Sequence, residues 1–350
     1  MRSLCLLLLL ATFSALSTVA EAAQYEASVE LAAVGDILLD RRVARKIASV
    51  GESRAFAGVR ESIASADLAL GNLECPLTQQ CQPSSKRIAF RADPRMVEAL
   101  SGAGFDILSL ANNHSMDCGT GGLLETMRNL RESGLAWSGA GPSRAQAEAP
   151  LILNVKGIRI AIVSFTAIAP VTADRPPEDD GPSVAIMSRD SFLRALAYAR
   201  TQADVIVASL HWGTEYASRP GAEQRETARL AARAGADLIV GHHTHSLQGM
   251  ELIASGEGAR KRYSLAAYSL GNFAFDSPRA LGRRVTESAI LRCRFDRRGL
   301  ISAEVIPITL DNYLPRPARP DEAQSILLRL GALSAELNTL MTGGRVIMQK

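Results

Sequence analysis

All five histidines of this chain sit where an apolar run meets a polar turn. His114 closes FDILSLANNH, His211 closes ADVIVASLH, and His242, His243 and His245 close ADLIVGHHTH. Chance would not put every histidine of 350 residues there. Ligands of α/β proteins bind beyond the carboxyl ends of the strands, and imidazole is the commonest metal ligand. The pattern therefore predicts alternating strands and helices with a metal centre at the strand ends of one α/β domain.

The remaining segments fit that alternation. SVELAAVGDI, ADLALGNLE and FDILSLANNH read as strands, with helical spacing in RAFAGVRESIASA, PRMVEALSGAG and residues 120–133. PLILNVKGIRIAIVSFTAI reads as two strands around a Lys156-Gly157 turn, and VTADRPPEDDGPS as an exposed loop. Helices are expected over 189–201 and 222–234, each leading into a histidine-ended strand. KRYSLAAYSLGNFAFD supplies one or two strands, SAILRCRFDRRGLISAEVIPITL a hairpin, and residues 321–342 a final helix. Strands mixed with hairpins imply mixed sheets with helices outside, and each half of the chain is expected to supply a sheet.

Residues 1–22 stand apart. Arg2, the apolar core Leu4–Leu16 and small residues at 20–22 read as a secretory signal peptide, with an uncleaved membrane anchor as the rival reading. The core is short for a spanning helix, which needs about 20 residues. The mature chain is thus expected to be exported, periplasmic or secreted, where disulfides persist. Cys75 and Cys81 are candidates for a bridge across Pro76; Cys118 pairs with either or stays reduced, and Cys293 reads as a strand residue. A net charge of +3 with scattered arginines gives no nucleic-acid stripe.

A metal site needs imidazoles and carboxylates converging on one point with a position left for water. Asp36, Glu74, Asn113, His211, His243 and His245 are the candidates, each at a strand end. Asn72 lies two positions before Glu74, on the same side of an extended strand. By the same rule His243 and His245 reach one centre, while His242 points elsewhere. Taken singly, an Asp or Asn after a strand is a turn former; the joint pattern is what points to metal. A mixed nitrogen and oxygen set suits one or two ions of Mn, Fe or Zn.

VGDILL, GNLECPLT, LANNHSMDCG, HWGTEY, GADLIVGHHTHSLQ and YSLGNFAFD resemble, in order, the motifs of the CapA family of capsule and poly-γ-glutamate biosynthesis proteins. The resemblance implies a metallophosphatase-like fold, a four-layer α/β/β/α sandwich of two mixed sheets, over residues 28–312, with 313–350 as a helical extension. It implies that Asp36 takes the place of the first metal-binding Asp and Glu74 that of the bridging carboxylate. Asn113 and His114 match the Asn-His motif, His211 the lone histidine, and His243 and His245 the Gly-His-x-His motif. Metallophosphatases carry a further histidine two residues after the first Asp; here that position is Leu38, which weakens one metal position.

The expected function is a metal-dependent hydrolase acting on an envelope polymer or phosphoester. In that role Asn113 and His114 are the catalytic candidates, His114 either as ligand or as general acid. The expected partners are an anionic polymer such as poly-γ-glutamate, met by Arg87 and Arg91, and a capsule-synthesis membrane complex. Asn272, with Tyr268, Ser269 and Phe273 beside it, is expected to line the substrate site. The alternative is a non-catalytic accessory that binds or guides polymer. A metal-free binding protein would leave the histidine pattern unexplained.

Overall fold

A computed structural model of the protein describes residues 27–81, 85–171, 181–256 and 262–348. The leader and most of the 171–183 loop lie outside the described residues. Two mixed sheets stack face to face, and helices cover both outer faces. The first sheet sets Val29–Ile37, Leu68–Leu73, Ile107–Ser109 and Ala136–Ser138 in parallel. Against Val29–Ile37 it adds the antiparallel hairpin of Glu287–Asp296 and Gly299–Asp311. The second sheet holds Ile158–Thr166, Val205–His211, Leu238–His242 and Arg262–Ala267 in parallel, with antiparallel edges Leu151–Val155 and Met250–Ser255. The expected α/β/β/α sandwich is present, but the halves do not supply one sheet each. The first sheet joins the beginning of the chain to its end.

Strand alternation builds the layers. Ile158, Ile160 and Ile162 meet Leu31 and Leu70 in the core between the sheets, while Ala161, Val163 and Phe165 meet Phe192 and Leu196 under the helices. Both faces are buried, so such strands read as nearly unbroken apolar runs. The turn at Lys156 (φ 51°) and Gly157 (φ 79°) has the positive angles that a two-residue hairpin requires.

Two elements differ from expectation. The first helix is Arg41–Val50, in a segment with only Val43 and Ile47 buried; RAFAGVRESIASA carries only the short helix Arg60–Ala64. An apolar stripe of two residues is too narrow to read from sequence, whereas the cap is not: Asp40 accepts a hydrogen bond from the Arg41 N–H. The strand Met250–Ser255 was also unexpected. Its outer edge is sealed by the C-terminal segment, with Met250 N–H donating to Ser334 Oγ (2.9 Å) and Leu252 N–H to Thr339 Oγ1 (2.7 Å), which covers an edge otherwise open to pairing. The final helix runs Pro320–Ala335, and Ile326 and Leu330 enter the core between the sheets.

Candidate metal centre

The strand ends of both sheets meet at one crest because two glycines let backbones touch. A Cβ on Gly35 would fall 1.9 Å from the Gly271 carbonyl oxygen, and one on Gly241 would fall 1.9 Å from that of Tyr268. No side chain fits at either place. Gly35 lets Asp36 N–H donate to Gly271 O at 3.0 Å, with Asp36 in register with Asn72 and Asn272. Gly241 brings His242 level with His211 on the neighbouring strand. The chain then leaves the sheet through His243 (φ 86°) and His245 (φ 53°). Each left-handed non-glycine residue costs about 1–3 kcal/mol and is typical of functional sites. So His243 and His245 lie with ring centroids 6.1 Å apart, each in a different ligand group, and a strained turn rather than an extended strand puts them there.

Two groups of three buried ligands result: Glu74 with His211 and His243, and Asp36 with Glu74 and His245. Within each group the ligand atoms all lie within 4.8 Å of one another. Glu74 Oε1 is 3.8 Å from His211 Nε2 and 3.9 Å from His245 Nε2, so Glu74 stands between the two. Asn113 Oδ1 lies 2.8 Å from His211 Nε2 and extends the first group. Phe275 packs against the His245 ring at 4.3 Å.

The electrostatics are uneven. Burial opposes charge on Asp36, but the nearby imidazoles of His242 and His245 outweigh it and hold the carboxyl well below its usual range. Burial, reinforced by the charge of Asp36, pushes Glu74 well above its own. Burial and the neighbouring His245 bring His243 down to about 4. His245 rises to about 9, because Glu74 and Asp36 overcome its burial. Both oxygens of Glu74 and Nδ1 of His243 are buried without a hydrogen-bond partner. Such atoms are costly unless something pairs with them. A divalent cation fits this vacancy of partners: Glu74, His211, His243 and Asn113 offer one set of donors, and Asp36, Glu74 and His245 a second.

His114 lies beside these groups and is oriented by others. Its Nδ1 is 2.6 Å from Asp117 Oδ2, and its ring packs on Phe90 at 4.1 Å. Burial lowers its pKa against the pull of Asp117. Lys86 Nζ donates to Asp117 Oδ1 (2.8 Å) and to the Asn113 carbonyl (2.7 Å). Asn112 ties the motif to the Glu74 strand, donating to Asn72 Oδ1 (3.1 Å) and the Leu73 carbonyl (2.8 Å). His242 sits behind Asp36, its Nε2 3.1 Å from Ser209 Oγ.

Lys86, Asp117 and Asn112 were not anticipated from sequence. Asp117 had a signal, three residues after His114 in LANNHSMDCG; Lys86 had only its membership of a basic loop. One expectation needs correction, and two open points are placed. Asn272 does not face a substrate: it is fully buried, its Oδ1 2.9 Å from His245 Nδ1 and its amide donating to the Val285 and His245 carbonyls. Tyr268 and Phe273 are likewise fully buried, the first 2.5 Å from Glu251 through its hydroxyl. Arg87 and Arg91 are exposed, and the loop's basic group at the site is Lys86. The disulfide joins Cys81 to Cys118, not to Cys75. Cys75 is buried and its Sγ accepts the Leu39 N–H at 3.3 Å, so it cannot turn outward to Cys81.

The model of the bacterial capsule synthesis protein family PGA_cap matches residues 30–277. The capsule biosynthesis protein CapA of Bacillus anthracis is 32% identical over 292 residues, covering 81% of this chain and 68% of that protein. The PGA biosynthesis protein CapA of Bacillus subtilis is 31% identical, covering 82% and 73%. A probable polyglutamine synthesis accessory protein of Mycobacterium tuberculosis is 29% identical over 199 residues, covering 53% of this chain and 52% of that protein. Among solved structures, a phosphatase of Mycoplasma pneumoniae shares the fold with a TM-score of 0.50 at 16% identity, covering 85% of this chain and 97% of that one. The sandwich, the ordered motifs and these matches agree: the chain belongs to the CapA-type family of bacterial capsule and poly-glutamate synthesis proteins, built on a metallophosphatase-like fold.

Proposed function

We propose that this protein is an exported, metal-dependent hydrolase of capsule or poly-γ-glutamate assembly, acting on an envelope polymer or phosphoester. The observation that carries the reading is Glu74: a buried carboxylate with no hydrogen-bond partner, between His211, His243 and His245. A buried carboxyl without partners is costly, and a cation would complete it. Mn, Fe or Zn suits the donor set. When bound, the ion acidifies water and polarises the attacked group.

The chain's own residues supply the rest. Asp117 orients His114 through Nδ1 and opposes the burial that lowers its pKa, so that the protonated ring would present Nε2–H to the leaving group. Lys86 neutralises Asp117 and adds positive charge beside Asn113, where an anionic group would lie. Arg87 and Arg91, exposed on the same loop, meet the carboxylates of a longer anionic polymer. The leader and the Cys81–Cys118 disulfide support an oxidising, extracytoplasmic location, periplasmic or secreted. A capsule-synthesis membrane complex is the natural partner.

The test is turnover of aryl phosphate mono- and diesters and of γ-linked glutamate oligomers by manganese-loaded protein. We expect hydrolysis of one class, falling by about a hundredfold or more in His114→Gln with its metal retained. The accessory reading has the mycobacterial relative in its favour, a protein described as an accessory of polymer synthesis. Polymer binding with no turnover on any of these substrates would establish that reading instead.

A further inference from the structure

The two ligand groups share Glu74, and the second depends on a carboxylate that is already engaged. Asp36 Oδ1 accepts from Asn72 Nδ2 at 2.8 Å and lies 3.5 Å from His242 Nδ1. Asp36 Oδ2 accepts the His243 N–H at 3.1 Å and lies 3.2 Å from His245 Nδ1. A carboxylate offers about four lone-pair directions; Asn72 and the His243 N–H each fill one, and two imidazole nitrogens stand within 3.5 Å of the same oxygens. Asn72 belongs to the first sheet, while the three histidines end the second. The Asp36 carboxylate is therefore a polar link between the sheets at their crest. Leu38, two residues after Asp36, is buried in the apolar core beneath the helices and offers no donor. His245 Nδ1 lies 2.9 Å from Asn272 Oδ1, which leaves Nε2 as the one ring nitrogen it can offer, 3.9 Å from Glu74.

Glu74 has the opposite surroundings, with neither oxygen partnered. The Asn113 and His211 donors beside it are 2.8 Å apart, and the His211 and His243 rings are 4.7 Å apart. This is a compact set of four donors, of the nitrogen and oxygen kinds that a divalent transition metal takes.

We propose that this chain holds a single tight ion on Glu74, His211, His243 and Asn113, and that Asp36 is a clasp between the two sheets and not a ligand. The proposal rests on the metal-dependent reading above. It makes the centre mononuclear and gives the first aspartate of the site a structural task.

The experiment strips the full chain with chelator, returns manganese in measured amounts, counts what survives desalting, and records the electron paramagnetic resonance spectrum. We expect one retained equivalent with the hyperfine pattern of an isolated Mn(II) ion. Glu74→Gln should weaken binding by more than about a hundredfold, and Asp36→Asn by only about tenfold, the low end for a residue that orients ligands. A second retained equivalent with an exchange-coupled spectrum, or equal losses in the two variants, overturns the clasp and leaves the metal centre standing. No retained manganese in the unmodified protein removes both. If Asp36→Asn does not fold, the count and spectrum of the unmodified protein decide alone.

Discussion

Asp36 and Glu74 end neighbouring parallel strands, and both are almost fully buried, yet their states are opposed. Asp36 is ringed by donors from both sheets and is held as a carboxylate. Glu74 faces imidazole edges with no hydrogen bond and is pushed toward the neutral acid. Burial is common to both, so burial does not decide which one awaits a cation; the count of partners does. One carboxylate holds the molecule together at the crest and the other is left open to a ligand.

The sharpest way to break this contrast is to remove each charge in turn from metal-free protein. Asp36→Asn sets an amide donor against the donors that Asp36 accepts from, and should cost about 3–5 kcal/mol in denaturant unfolding, the usual price of breaking a buried charged network from one side. A loss under about 1 kcal/mol, the range of an ordinary single hydrogen bond, would remove the clasp. Next in size is the tether between the loop that follows Glu74 and the helix that follows His114. Cys81 and Cys118 are 37 positions apart, so Cys81→Ser with Cys118→Ser should lower stability by about 3 kcal/mol. Calorimetry of the oxidised and double-variant proteins would measure it, and equal melting would contradict it.

Glu74→Gln should act with the opposite sign to Asp36→Asn. It removes an unpaired buried acid, so the metal-free variant should be about 1 kcal/mol more stable than the unmodified protein, while losing its metal. Destabilisation by this change would mean that Glu74 has partners of its own. A last test concerns pH. Unfolded His243 titrates near 6.5 and the folded residue near 4. As pH falls between these values the unfolded chain binds a proton that the folded chain refuses, so stability drops. His245, raised to about 9, contributes stability that is whole below 6.5 and is lost as pH rises through about 9. Urea midpoints across this range should fall less steeply on the acid side in metal-free His243→Ala; an unchanged slope would remove His243 as the source.

Much of the crest was legible because its donors end apolar strands, where an ordered chain turns at the surface of a sheet. Asn113, His211, His243, His245 and Glu74 are brought together by the structure from residues 74–245. The orienting groups were not legible. Lys86 reaches Asp117 across 31 positions, and nothing local marks it out from Arg87 beside it. Asn272 closes a strand-like motif in sequence just as the ligands do. Only its neighbours, His245 Nδ1 and the Val285 carbonyl, show that it orients a histidine and meets no substrate. The disulfide partner of Cys81 was equally hidden, since the choice between Cys75 and Cys118 turns on which sulfur faces the loop.

The sequence by itself determined the alternation of strands and helices, the residue types available at the crest and the motifs of the family. These follow from local periodicity and from chemistry that each side chain carries wherever it goes. The tertiary structure decided which strands share a sheet, joining Val29–Ile37 to Glu287–Asp296 across most of the chain. It also decided which of two buried carboxylates is satisfied. Both are matters of hydrogen-bond partners distant in sequence, and a lone pair is filled or left empty only when the donors of two sheets have been brought to it.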